Sequence, residues 1–278
     1  MNMRKINFWD KCGHHNHSDS CYAIHAKKGR TIEYATDGSG EFDVFTHDAF
    51  GKVFENGYTD LKVGWLQEPR GINSRWYQAL ELDHEQFFSP GGFNYIITHD
   101  QKLLDLDPRF IFILGNGFWI KEPKIYQKSK LVSMISSNKT MCAGHHYRLS
   151  WVDRLKGKLD LYGRGFNEIA LKEEGLCDYM FSVAIENQIS DTWITEKVMD
   201  CFASGTVPIY GGTRRITEHF NADGIIFLDE SFDPASLTPD MYYERMDAIE
   251  DNLDRVRDLE IPVDFIFDPF FVGIENTQ

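Results

Sequence analysis

The sequence predicts an α/β protein of two Rossmann-like domains, each built on a parallel sheet. Two observations carry that expectation. Short apolar runs rich in branched residues alternate with helix-period stretches along most of the chain. The clearest instance, Met180 to Gly212, reads as a complete strand–helix–strand unit. Such a unit takes a right-handed crossover, which makes its two strands parallel.

In chain order, the first half starts with a strand at Arg4 to Trp9. The loop CGHHNHSDSC follows, with Cys12, His14, His15, His17, Asp19 and Cys21. Soft ligands this dense can hold zinc, but their spacing fits no standard module, and a polar loop is the simpler reading. Asp43 to Thr46 and Leu61 to Leu66 read as strands, the second ending at Gln67-Glu68-Pro69. Pro69 stops that strand and leaves Glu68 just beyond its carboxyl end. Trp76 to Gln86 is helix-like and carries Glu81 and Glu85. Phe93 to Thr98 and Phe110 to Leu114 complete the strands of this half. Asp105-Leu106-Asp107 is taken as a turn rather than a metal motif. The polar stretch Lys121 to Lys130 is the linker candidate, giving domains at 1–125 and 126–278.

The second half opens with a strand at Leu131 to Ser136, a helix at His146 to Lys156 and a strand at Leu159 to Tyr162. In the next unit, Phe181 to Ile185 is a strand, Gln188 to Asp191 a polar loop, and Asp191 or Thr192 the cap of a helix bearing Ile194, Val198 and Phe202. Gly205 closes that helix, and Val207 to Tyr210 is the next strand. A last strand is expected within Asp223 to Asp229, then a charged, solvated helix over Tyr242 to Leu259. The aromatic tail after it either crosses back to the first domain or forms a self-association patch.

Composition narrows the function classes. The 278 residues carry a net charge of −14, which disfavours nucleic acid as a partner. No run of about 18 apolar residues predicts a membrane span. The N-terminus lacks an apolar signal core, so a cytoplasmic location is expected. Five cysteines at irregular spacing do not read as a disulfide framework.

Ligands of parallel sheets sit beyond the strands' carboxyl ends. Here that edge carries Glu186, Asn187, Thr195, Glu196 and Lys197. A helix amino terminus with a lysine suits a phosphorylated ligand, and the glutamates suit sugar hydroxyls. A capped helix with a solvated Glu-Lys pair fits the same spacing. Arg148 occupies the matching place in the preceding unit, so two cations meet one sheet edge, which points to a diphosphate. Neither unit has GxGxxG, and Gly163 to Asn167 is no P-loop, which argues against a dinucleotide enzyme or a P-loop kinase.

The segment EN-QISDTW-ITEK-VMDCFASGTVPIYGG resembles the donor-binding signature of the family 10 glycosyltransferases, the α1,3/4-fucosyltransferases. LVSMISSN…R (Leu131 to Arg148) and LDLYGRG (Leu159 to Gly165) resemble the preceding family blocks in the same order. The resemblance covers roughly Lys130 to Gly212. It implies a GT-B architecture, with two Rossmann-like domains facing a cleft, and inverting transfer of L-fucose from GDP-fucose to a glycan hydroxyl. It implies Glu68 as catalytic base, although the family's E-x-P context appears here as Glu-Pro directly. It also implies a donor site of Arg148, Glu186, Asn187, Trp193, Thr195, Glu196 and Lys197, with no metal and no cofactor. Trp193 stands where bacterial relatives commonly have Tyr, and Met180 where the family has Lys. The partners implied are a nucleotide sugar and a glycan acceptor, with no membrane span and the oligomeric state left open. The soluble bacterial or viral type fits best. A GT-B transferase of another nucleotide sugar and a non-catalytic nucleotide-sugar or glycan binder are the alternatives.

Overall fold

Two parallel sheets organise the protein in a computed structural model that describes residues 4–9, 32–35, 38–114 and 117–259. The described residues divide into two compact units at Leu114/Gly115. The first contains β1 (Arg4–Trp9), β2 (Ile32–Ala35), β3 (Asp43–Thr46), β4 (Lys62–Trp65), α1 (Ser74–Phe87), β5 (Tyr95–Thr98), α2 (Gln101–Leu104) and β6 (Phe110–Phe112). Its strand order is β2-β1-β3-β4-β5-β6, every pair parallel. Alternation along β3 and β5 loads both faces. Phe45 and Ile96 pack with Trp76, Tyr77 and Leu80 of α1. Their neighbours Val44 and Ile97 join Ile6, Phe8, Val63 and Trp65 in a separate cluster. Burial on both faces is the usual condition of a parallel sheet.

The second unit contains β7 (Lys130–Ile135), α3 (Ala143–Leu155), β8 (Asp160–Tyr162), α4 (Glu173–Leu176), β9 (Tyr179–Ile185), α5 (Glu196–Ala203), β10 (Val207–Gly211), β11 (Ile226–Phe227), α6 (Pro239–Tyr243) and α7 (Met246–Asp258). The order is β11-β10-β9-β7-β8, again all parallel. The run YMFSVAI of β9 is buried throughout, as a central strand requires. From β7 the chain goes to β8 on one side, then returns past β7 to β9 on the other. This reversal is the switch point at which open α/β sheets hold their ligands.

Several sequence expectations need correction. The helix expected from Asp191 or Thr192 starts at Glu196, with Thr195 as its cap. The preceding residues turn instead, because Glu186 captures the Thr195 N–H and fixes the start there. The helix expected at His146 begins at Ala143, which moves Arg148 from its first turn to its second. The charged stretch Tyr242 to Leu259 is not one solvated helix. It splits into α6 and α7, and α7 buries Ala248, Ile249, Asn252, Leu253 and Val256. The last strand shrinks to Ile226–Phe227. The strand β2 went unforeseen.

The stretch Lys121 to Lys130 is seated on the second unit rather than free. Just ahead of it, the Trp119 N–H donates to Asp200. The Lys124 N–H donates to the Ala203 carbonyl at 3.0 Å. Lys128 Nζ donates to the carbonyls of Cys177 and Ser204 and to Thr206 Oγ1 at 2.8–3.0 Å. Burial pulls the Lys128 ammonium down to about 8. The zinc-candidate loop and the tail after Leu259 lie outside the described residues.

Candidate functional site

The loops after β7 and β9 meet at the switch point, and their backbones touch. A Cβ on Gly144, in the first turn of α3, would lie 1.9 Å from the Asn187 carbonyl. Only glycine allows that approach. Cys142 Sγ reaches the same carbonyl at 3.3 Å. On the far side of the β7 loop, Gly163 has φ +106° and presses on the Ser136 carbonyl, which again excludes a side chain.

Glu186 is fully buried at the end of β9. One carboxylate oxygen accepts from the Thr195 N–H at 2.9 Å and the other from Thr195 Oγ1 at 2.7 Å. Tyr210 donates to it at 3.4 Å, and Lys197 Nζ lies 3.3 Å away. Glu186 is therefore occupied in capping α5 and anchoring Lys197, rather than open to a sugar hydroxyl as its position suggested.

Lys197 also donates to Thr195 Oγ1 at 2.8 Å and pairs with Glu196 at 3.2 Å. Burial opposes the Lys197 charge, but Glu186 and Glu196 outweigh it and raise its pKa. Burial likewise opposes the Glu196 carboxylate. Lys197 and Lys172 with two hydrogen bonds overcome it and hold the group at about 2. Asn187 Oδ1 accepts from Trp193 Nε1 at 2.8 Å, so those two residues act as a pair.

Arg148 comes to this edge from α3. It is 6% exposed, one Nη donates to Ser137 Oγ at 3.2 Å, and Nε is buried with no hydrogen-bond partner among the described residues. Burial lowers its pKa against the raising influence of Glu186 and Glu196. Arg148 in turn disfavours the Lys197 charge, so the two cations act on one region. Such a pair, one member with an unsatisfied donor, is suited to a multiply charged anion.

Glu68 lies at the carboxyl end of β4, partly exposed. The buried Tyr77 hydroxyl donates to its backbone carbonyl at 2.7 Å and lies 3.2 Å from His99 Nε2. Burial drives His99 down to about 3, so its ring is neutral at ordinary pH. Arg70, two residues on, makes a two-pronged bond to Asp100 at 2.9 and 3.0 Å. The turn bearing Glu68 is thus pinned to the end of β5, while its carboxylate has no hydrogen bond or ion pair among the described residues. The rivals differ. Glu81 pairs with Arg70 at 2.9 Å, and Glu85 with Arg109 at 3.1 Å. Asp107, of the Asp105-Leu106-Asp107 turn, also pairs with Arg109, at 2.6 Å. With His84 and Glu85 it forms the one His/carboxylate cluster of metal-binding dimensions among the described residues. The guanidinium already neutralises that cluster.

Residues 125–247 match the family model for the C-terminal part of glycosyltransferase family 10 (fucosyltransferase). Over that segment, which is less than half of its length, the chain is similar to the family 10 fucosyltransferases. It is 28% identical over 154 residues to 4-galactosyl-N-acetylglucosaminide 3-alpha-L-fucosyltransferase 9 of Cricetulus griseus, covering 52% of this chain and 41% of that protein. It is 33% identical over 73 residues to the alpha-(1,3)-fucosyltransferase FucT of Helicobacter pylori, covering 26% of this chain and 15% of that one. The chain therefore spans less than half the length of the curated relatives it matches. A crystal structure of an alpha1,3-fucosyltransferase superposes with TM-score 0.52 at 15% identity, covering 99% of this chain and 91% of that one. The same enzyme type with GDP gives TM-score 0.50 at 17% identity, with the same coverage. These likenesses establish the shared GT-B fold class.

The family 10 segment includes every donor-side residue anticipated from sequence and leaves Glu68 outside it. Reading the sequence missed Ser137, His145, Lys172, Asp200 and Tyr210 as members of the second unit's polar network. Buried tyrosine and serine look like core filler in a sequence. Lys172 and Asp200 pair across 28 positions, a distance no local pattern reveals. Among the described residues no helix is long and apolar enough to cross a membrane.

Proposed function

We propose that this protein transfers L-fucose from GDP-fucose to a hydroxyl of a glycan acceptor, with inversion at the anomeric carbon and without a divalent metal. The observation that carries the reading is the buried Arg148, with its unpartnered Nε, sharing the switch-point edge with Lys197. The relatives named above are fucosyltransferases, and one similar structure holds GDP. Arg148, Lys197 and the first N–H groups of α5 bind the diphosphate and take up the charge that develops as the glycosidic oxygen leaves. That is the role a metal fills in other transferases. Glu196 and the Asn187–Trp193 pair bind hydroxyls or the base of the donor. Glu186 holds the cap and Lys197 in place. Glu68 accepts the proton of the acceptor hydroxyl as its oxygen bonds to the anomeric carbon, and the bond electrons leave on the diphosphate oxygen.

Calorimetry with GDP, UDP, ADP and CMP, each with and without EDTA, tests the reading. GDP is expected to bind best, with the same affinity in EDTA. Preference for another nucleotide overturns the donor, and strict dependence on magnesium or manganese overturns the metal-free reading. Arg148→Ala and Lys197→Ala are each expected to weaken GDP about 10- to 100-fold, the range of a charge-assisted contact. Parental binding by both places the site elsewhere.

A further inference from the structure

His145 sits in the first turn of α3, three residues before Arg148, on the face of that helix turned inward. It is 3% exposed. Its Nδ1 lies 3.1 Å from the Met141 backbone nitrogen. A backbone N–H only donates, so Nδ1 accepts and the ring carries its proton on Nε2. That Nε2–H has no hydrogen bond among the described residues. The charged and titratable groups acting on the ring are Arg148, Lys139, Lys197 and His146, all cationic or able to become so. An N–H donor without a protein acceptor, on a ring whose charge is disfavoured by neighbouring cations, lacks its natural counterpart, an acceptor bearing negative charge.

We propose that His145 is a third donor to the diphosphate of the nucleotide sugar, giving its Nε2–H to the same phosphates that Arg148 and Lys197 bind. The inference rests on the donor reading above. Its chemistry differs from that of the two cations. Burial, helped by Arg148, Lys139, Lys197 and His146, holds the imidazole down at about 4, so it is neutral at physiological pH. The site thereby gains a directed hydrogen bond without a third full charge next to Arg148 and Lys197. A lysine or arginine there would add repulsion to each of them.

Two variants separate the ring's nitrogens. His145→Asn keeps an oxygen where Nδ1 accepts from Met141 and deletes the outer donor. His145→Gln restores an N–H near Nε2 and gives up the inner acceptor. Calorimetry with GDP and competition with guanosine, which has no phosphate, then read the contact directly. We expect H145N to weaken GDP by about tenfold or more, to leave guanosine unchanged, and H145Q to recover most of the loss. The proposal is overturned if H145N binds GDP as the parent does. It is also overturned if H145N weakens GDP and guanosine alike, or if H145Q is the more impaired, because either result assigns His145 to holding the Met141 loop. Arg148→Ala in the same series keeps the two readings apart. If that variant also binds GDP normally, the donor site itself is misplaced. If it loses GDP while H145N does not, only the role of His145 falls.

Discussion

At the scale of single residues, the carboxylates divide by what already holds them. Glu186 is committed through both oxygens to Thr195, and Glu81 and Glu85 are committed to arginines. Glu68 is the one of the four whose carboxylate has no such partner among the described residues, while its backbone is fixed by Tyr77. A general base needs that combination of a held main chain and an available carboxylate. Glu68→Gln is therefore expected to leave GDP affinity unchanged and to slow transfer by about 10²–10⁴-fold. Calorimetry beside a transfer assay checks both halves. A parental rate in Glu68→Gln, with a collapsed rate in Glu81→Gln or Glu85→Gln, would reassign the base.

At the scale of elements, the strands were the readable part. Apolar runs such as Val183 and Ile209 with their neighbours announce buried parallel strands, and burial is what those strands obey. Helix starts were less readable, because long-range partners decide them. The α5 cap depends on Glu186, nine residues upstream, and no local signal favours Thr195 over Asp191. The inward face of α7 was hidden by its charge, since five acids and two arginines among thirteen residues obscure the period of Ala248, Ile249, Leu253 and Val256. The seam between α3 and the β9 loop was equally hidden, because Gly144 looks like any loop glycine until Asn187 is placed against it. Gly144→Ala is expected to push the two apart at a cost of about 1–3 kcal/mol. It should lower the thermal midpoint and weaken GDP together. A variant that melts and binds like the parent would show that the contact yields without loss.

At the scale of the whole molecule, the switch-point charges set an acid response. Glu196 titrates near 2 in the folded chain against an ordinary 4.5. Its contribution to stability is therefore present above about 4.5 and is lost as pH falls through about 2. Asp200 runs the other way. Burial raises it to about 6, so its contribution is full below about 3.8 and is lost as pH rises through about 6. Urea midpoints of parent and Glu196→Gln across this range are the check. The gap between them should close as pH drops from about 5 to about 2. A gap that stays constant would mean that Lys197 and Lys172 do not hold Glu196 as the geometry indicates.

The seating of Lys121 to Lys130 bears on how the protein can be dissected. Lys128 supplies the donor that three oxygens at the ends of α4 and α5 share, and Arg257 of α7 reaches back to the Pro123 carbonyl at 2.7 Å. Trp119 closes the same seam through Asp200. A gene fragment begun at residue 126 would keep the whole second sheet yet strip the Asp200 carboxylate of its amide and leave Arg257 without its carbonyl. One begun just ahead of Phe118 would retain the entire belt. For anyone wishing to make the second unit by itself, the seven or eight residues that look most dispensable are the ones to keep.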